Sequence, residues 1–271
     1  IFIAALTFIN HAPERTTVLV KLIAIGLFTV VIVLNALLVL LMPLVRNAYQ
    51  PPHIMASQQR FRFVPVDDAV TVQALPLDSE FSFREQDLGR ALGLGNEESM
   101  AISLDFDFPF YGEPKNKLFV SDNGFVTFDQ EPLFNAYTSL RQPMMAPLHL
   151  DLNPERGGQI FVQASQEQLT ITWWKLYSPQ SEASNTFQLT LLPNGTVEFL
   201  YGQINPSYNY VSAVIPQPLI GLLPGNGLPL GEQVRFTNTL DHTSLPQQAV
   251  VENFLADYRT YLHSLMLPVA F

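Results

Sequence analysis

An uninterrupted apolar run from Leu22 to Val45 constrains this chain more than any other feature of it. Its 24 residues (LIAIGLFTVVIVLNALLVLLMPLV) carry no charge, and Lys21 and Arg46 bracket it. A helix of that length reaches roughly 36 Å, more than the ~30 Å hydrocarbon core of a bilayer. A secretory signal has a shorter apolar region, about 7–15 residues, ending at small residues where it is cleaved. The exit here, VRNAYQ, offers no such site. A helix buried in a soluble core would show a polar face. This run has only Asn35, a residue suited to helix–helix hydrogen bonding, and Pro43 near its end. The run therefore predicts a transmembrane helix over 22–45.

The flanking segments extend that layout. Residues 1–9 (IFIAALTFI) are apolar and read as the end of a preceding transmembrane helix. Residues 10–21 form a short polar loop with a weak basic bias (Arg15, Lys21 and His11 against Glu14), which places it on the cytoplasmic side. Residues 46–60, with Pro51 and Pro52, read as a juxtamembrane linker. In Ala249–Met266 the apolar residues 250, 251, 254, 255, 258, 262 and 265 follow a helical spacing, and the chain turns apolar again at SLMLPVAF. Residues 249–271 are accordingly expected to be a connecting helix entering a further span, with the bilayer as one partner and a homodimer formed through the helices.

Charge separates the parts. Arg15, Lys21 and Glu14 are the charges of the first 45 residues, leaving 12 basic and 23 acidic residues beyond, a balance of −11. So acidic a domain is a poor binder of nucleic acid, whose phosphates need clustered Lys and Arg. The absence of cysteine excludes disulfides and thiolate metal sites. Extracellular eukaryotic domains commonly carry disulfides, so a bacterial exterior is favoured.

Residues 61–240 read as an antiparallel, all-β sandwich. Lys117–Phe128 has two strand patterns around Asn123-Gly124, a pair suited to a tight hairpin. Gly158–Lys175 turns at Ser165–Glu167, and Asn185–Tyr201 turns at Pro193-Asn194-Gly195. Alternation assigns Phe187, Leu189, Leu191, Val197, Phe199 and Tyr201 to a buried face. It also pairs Ile160 and Val162 with Leu169, Ile171 and Trp173, and puts Gln188, Thr190, Glu198, Thr170 and Thr172 on a wet face. Segments 104–110, 211–215, 219–223 and 234–236 would supply the second layer.

Chemistry-bearing patterns are few. Asp105 and Asp107 share one strand face, where neighbouring carboxylates are usually a solvated surface rather than a pair flanking a scissile bond. Asp151, Asn153 and Glu155 have the alternating oxygen spacing of a Ca²⁺ loop, though an Asx-type turn accounts for them equally. Gly221–Gly227 lacks the Lys-Ser/Thr of a phosphate loop and reads as a turn. His11, His53, His149, His242 and His263 are scattered, and no Ser-His-Asp arrangement is evident. No catalytic residue and no cofactor are assigned. Trp173 and Trp174 must face opposite ways on a strand. The outward one, Trp174, with Tyr177, Tyr208 and Tyr210, makes a possible ligand face.

Six segments occur in an order that resembles a known family: FPFYG (108–112), VSDNGFVTF (120–128), MAPLHLDLNPERGGQIFV (145–162), LTITWWKL (169–176), TFQLTLLPNGTVEFLYG (186–202) and IGLLPGNG (220–227). Together they are similar to the extracellular β domain of nidogen and plexin-domain-containing proteins, also frequent in bacterial surface proteins. His149-Leu150 departs from the aromatic-plus-acid pair common before the Asp in that family. The resemblance implies a recognition or structural module without a catalytic set. The layout of span, outer domain and returning helix is similar to bacterial sensor histidine kinases and nucleotide cyclases, in which a HAMP-type linker follows. The expectation is therefore the extracytoplasmic sensor region of a cell-membrane signalling protein, of two-component or cyclase type, binding an unknown extracellular ligand. The segment itself would not be an enzyme. A membrane-anchored adhesion or carbohydrate-binding module is the alternative, with a surface hydrolase third.

Overall fold

The computed structural model describes residues 58–67, 69–77, 83–132, 142–178, 181–205, 219–225, 234–244 and 247–253, together with 26, 27, 29, 30 and 33. The chain forms two compact units, Ile1–Pro51 and Pro52–Phe271. In the first, Gly26, Leu27, Thr29, Val30 and Val33 are helical. Leu27, Val30 and Val33 expose 65%, 54% and 56% of their surface. The remainder of the 22–45 run lies outside the described residues, and among those described no helix is long and apolar enough to cross a membrane.

The second unit is a two-layer antiparallel sandwich. Strand β1 (Arg60–Val66) turns back into β2 (Ala69–Leu75), and the short β3 (Arg90–Ala91) precedes the long pair β4 (Ser99–Phe110) and β5 (Glu113–Ser121). Next come β6 (Val126–Thr127), β7 (Met144–His149), β8 (Gln159–Ala164), β9 (Leu169–Tyr177), β10 (Ser184–Leu191) and β11 (Val197–Tyr201). The last described strands are β12 (Leu219–Leu223), β13 (Asp241–Ser244) and β14 (Val250–Asn253). One sheet has the order β13-β2-β1-β11-β10-β9-β8-β3, the other β14-β12-β7-β6-β5-β4. The three expected hairpins form β5–β6, β8–β9 and β10–β11.

Alternation places the core. Phe187, Leu189 and Leu191 of β10 point inward beside Tyr201, Phe199 and Val197 of β11, and all are buried. Phe61 and Phe63 of β1 extend the layer opposite Phe199 and Val197. The expected wet face is only partly wet. Thr170 is 7% and Thr172 0% exposed, roofed by neighbours such as Gln188, whose amide donates to Thr172 Oγ1 at 2.7 Å. In segment 234–236, Val234 and Phe236 are buried without forming a strand, and 211–215 lies outside the described residues.

One expectation is corrected outright. Val250–Asn253, assigned above to a helix, is strand β14, pairing Val250 with Leu222 and Asn253 with Leu219. Val250 packs into the main core and Val251 into a smaller cluster with Phe125, Met144 and Leu219. Two adjacent buried valines suit a strand covered on both faces, and their spacing mimics one turn of an amphipathic helix. The sandwich thus continues past position 240. The expected helix over 254–266 and the segment to 271 lie outside the described residues.

Register fixes both ends of the sandwich. The Gln58 amide donates to Gly202 O and the Tyr201 amide to Gln59 O, so the chain enters β1 beside the end of β11. The Tyr201 hydroxyl donates to Pro147 O at 2.6 Å, tying that end to β7, whose His149 lies opposite Leu219, itself opposite Asn253. Arg60 and Asn253 therefore sit at one end, the base. The β1–β2, β4–β5 and β10–β11 turns gather at the other end, where Pro65 and Pro109 flank Gly195.

Near the base a buried turn, Ser121–Gly124, joins elements remote in sequence. The Trp173 indole donates to Ser121 O at 2.8 Å, the Leu152 amide to Asn123 Oδ1 at 2.7 Å and the Leu148 amide to Gly124 O at 3.2 Å. Gly124 has φ +76, and a Cβ there would overlap the carbonyl oxygen of Leu148. Gly93 also has positive φ (+69), yet nothing lies within 4 Å of its Cβ position. Gly93→Ala should therefore cost only the left-handed strain of about 1–2 kcal/mol. Gly124→Ala should cost more, on the order of 3 kcal/mol or above, because the β7 contact must also shift. Urea unfolding followed by Trp173 and Trp174 fluorescence measures both; equal losses would contradict the crowding assigned to Gly124.

Candidate functional site

Between the layers at the end opposite the base lies a cleft of about 430 Å³. Phe63, Val70, Phe110, Val197 and Leu222 line it, with Pro65 and Pro109 at the sides. The volume is within the ~300–1,000 Å³ of ordinary ligand pockets. Asp67, Tyr111 and Gln247, from three separate turns, also line it, and each has positive φ (52°, 50° and 54°). Such backbone is uncommon for side chains other than Gly, Asn and Asp, and it clusters where surrounding structure enforces it, ligand clamps included. The Tyr111 hydroxyl donates to Gln248 O at 2.9 Å, which pins the β4–β5 turn to the approach to β14. Burial pushes its phenol above the usual range.

A second cluster sits around the Ser121–Gly124 turn. The Asp122 side chain is 0% exposed as a residue and accepts from the Glu97 amide at 2.9 Å. Burial first, and then the Glu97 charge, push the Asp122 carboxyl up to about 7 against opposing hydrogen bonds. Glu97 is raised by burial and by Asp151, while the Asn123 carboxamide pulls it back. Asp151 is raised by burial. Among the described residues no group of three or more His, Cys, Asp or Glu is disposed to hold a metal ion.

The residues singled out from the sequence fall as follows. The Asn153 carboxamide oxygen accepts from the Glu155 amide at 2.8 Å, capping the short 3-10 turn Pro154–Arg156 in the Asx manner. Glu155 is exposed and Asp151 half-buried. Asp105 and Asp107 are exposed on β4. Trp173 is in the core, stacked on Phe187 at 5.2 Å, whereas Trp174 is half-buried on the other face with Lys175 Nζ 4.2 Å from its ring. Lys175 has φ 54 at an irregularity between β9 and β10, and Tyr177 is half-buried beneath the Arg156 guanidinium. Tyr208 and Tyr210 lie outside the described residues. His149, where the sequence departs from the family pattern, is buried edge-on to Phe125 at 4.4 Å, and burial lowers it to about 4, so it is neutral near pH 7.

A family model described as NIDO related matches residues 67–254. The chain belongs to the NIDO-related family. No solved structure matches it. The match spans both the cleft and the Ser121–Gly124 turn of this NIDO-related domain, but starts just after β1, which nonetheless inserts between β2 and β11.

The cleft is not legible in the sequence, although two segments that carry the family resemblance contribute to its lining. Tyr111 and Gly112 close FPFYG, Gly195 lies within PNGT and Val197 follows it. Their convergence depends on β1, β4 and β10 ending at one level, which pairing decides. Asp122 was equally hidden, since a carboxylate in a turn motif normally faces water.

Asp122 makes the turn sensitive to pH. A carboxyl raised from 3.8 to about 7 is held protonated more readily folded than unfolded. Its charged form therefore destabilises the fold fully above pH ~7, and the penalty fades as pH falls towards 4. Asp122→Asn keeps an acceptor for the Glu97 amide and removes the titration. The variant should exceed wild type by a few kcal/mol at pH 8, with the difference shrinking to near zero by pH 4. His149 titrates in both proteins and cancels. Melting curves across that range test it, and a difference independent of pH would contradict the assignment.

Proposed function

We propose that this chain is the extracytoplasmic recognition region of a bacterial cell-membrane signalling protein, catalytically inert in itself. The observation that carries the reading is the arrangement of the sandwich's connections. Arg60, next to the linker that follows the apolar run, and Asn253, before the second apolar segment, are at the same end of the domain. A domain held by two spans has this geometry, with the opposite end facing outward. The exposed Leu27, Val30 and Val33 on helical residues of the uncharged run suit a lipid-covered helix, since a large apolar surface in water is costly. Membership of the NIDO-related family supports recognition over catalysis. Homodimerisation through the spans belongs to the same reading.

The second reading, a membrane-anchored adhesion or carbohydrate-binding module, draws on Trp174 and Tyr177, half-buried on the outer side with Lys175 and Arg156 over their rings. The coding sequence that follows Phe271 separates the two. A HAMP-type linker with kinase or cyclase motifs selects signalling, and a stop soon after one more span selects adhesion.

Topology is tested directly because the chain has no cysteine. A single thiol at Ala12→Cys or at the exposed Ser103→Cys is the only one present. In intact bacterial cells a membrane-impermeant maleimide should label Ser103→Cys alone, and both variants after permeabilisation. Labelling of Ala12→Cys alone, of both, or of neither in intact cells would overturn the arrangement.

A further inference from the structure

We propose that the 430 Å³ cleft opposite the base is a binding site for a small molecule with a compact apolar body and one protonated amine. This deepens the recognition reading above and rests on it only for the side of the membrane on which the ligand is met. Three features of the cleft define the ligand. The walls offer Phe63, Val70, Phe110, Val197 and Leu222 to an apolar body. Pro65 and Pro109 stand beside Gly195, where a Cβ would lie 3.0 Å from each ring, and their rings fix the backbone φ at the mouth.

Charge supplies the third feature. Among the described residues lining the cleft, Asp67 is the one charged side chain, and it forms no ion pair among the described residues. It is exposed at the rim, on the β1–β2 turn. An anion entering the cleft past an unpaired carboxylate would lose part of its hydration and meet repulsion. A cation loses hydration too, but gains an ion pair at the mouth. Tyr111 cannot substitute as a donor to an anion, since its proton is committed to Gln248 O. Because Asp67 is exposed, its contribution is screened, and the preference for a cation over an isosteric neutral molecule should be only ~two- to fivefold.

The rim is also built to hold its shape. Asp67, Tyr111 and Gln247 come from turns far apart in sequence, and all three are in the left-handed region. The Tyr111–Gln248 hydrogen bond couples two of these turns. Backbone held this way needs support from its surroundings, which preorganises the opening.

The test uses three probes with one apolar body: phenethylammonium, 2-phenylethanol and phenylacetate. The full chain in lipid nanodiscs carries methyl labels on valine and leucine, and methyl shifts report each titration. Phenethylammonium should move Val70, Val197 and Leu222 and leave Leu118 and Val126 in place. 2-Phenylethanol should do so ~two- to fivefold more weakly, and phenylacetate least. Asp67→Asn should bring phenethylammonium down to the level of the alcohol, and Val70→Trp, which fills the cleft, should abolish the Val197 and Leu222 shifts. Silence of those methyls with every probe, or phenylacetate matching phenethylammonium, would overturn the proposal. So would a cation preference surviving Asp67→Asn. Specific shifts in a domain found on the cytoplasmic side would sink the topology and leave the cleft. Silent methyls in an externally labelled domain would do the reverse.

Discussion

The carboxamide of Asn123 holds this sandwich together in a way no strand does. Its oxygen accepts from the Leu152 amide, and its nitrogen donates towards Glu97. The same buried turn receives the Trp173 indole on Ser121 O and the Leu148 amide on Gly124 O. Three remote segments thus meet at a turn that is nearly inaccessible to water. A buried backbone group without a partner costs about 1–3 kcal/mol, so a polar turn at this depth is tolerable only when each group is satisfied. That requirement explains the glycine at 124, where a side chain would push against Leu148, and the tryptophan at 173, which fills space and donates at once.

The two ends of the sandwich are built differently. Near the base, polar groups are locked by hydrogen bonds, and the Tyr201 hydroxyl ties β11 to β7. At the far end, three hairpin turns stop short of closing the layers, and the space between them is the cleft. The two connections leave from the base, so the cleft is about one strand length away, ~20 Å for the seven residues of β1. In the proposed topology that distance would set the opening away from the headgroups. The domain's acidity, repelled by anionic lipid, acts in the same direction.

The sandwich was legible because its hairpins are written locally. Asn123-Gly124 and Pro193-Asn194-Gly195 name their own turns, and period-two alternation in β10 and β11 names the buried side. Elements buried on both faces were less legible. The segment 219–223 was placed in the second layer and is β12, but β7, apolar except for His149, was not singled out as a strand, and β14 was mistaken for helix because Val250 and Val251 serve two different clusters. The candidate site suffered most. Trp174 and Tyr177 attract notice as aromatics, whereas the cleft is made of ordinary core residues and prolines whose meeting depends on where strands end. Asp67 and Gln247 carry no motif at all.

Native-state hydrogen exchange tests the role of the buried turn most directly. The amides of Leu152 and Gln168 both lie outside strands and both donate to a side-chain oxygen, Asn123 Oδ1 in one case and Ser165 Oγ in the other. Only the first is in the stitched interior. If the turn anchors the fold, the Leu152 amide exchanges through near-global unfolding, at a rate comparable to the central amides of β10, while Gln168 exchanges by local opening. Exchange of Leu152 as fast as Gln168 would show that the Asn123 contact opens independently, and would contradict this account of what holds the domain together.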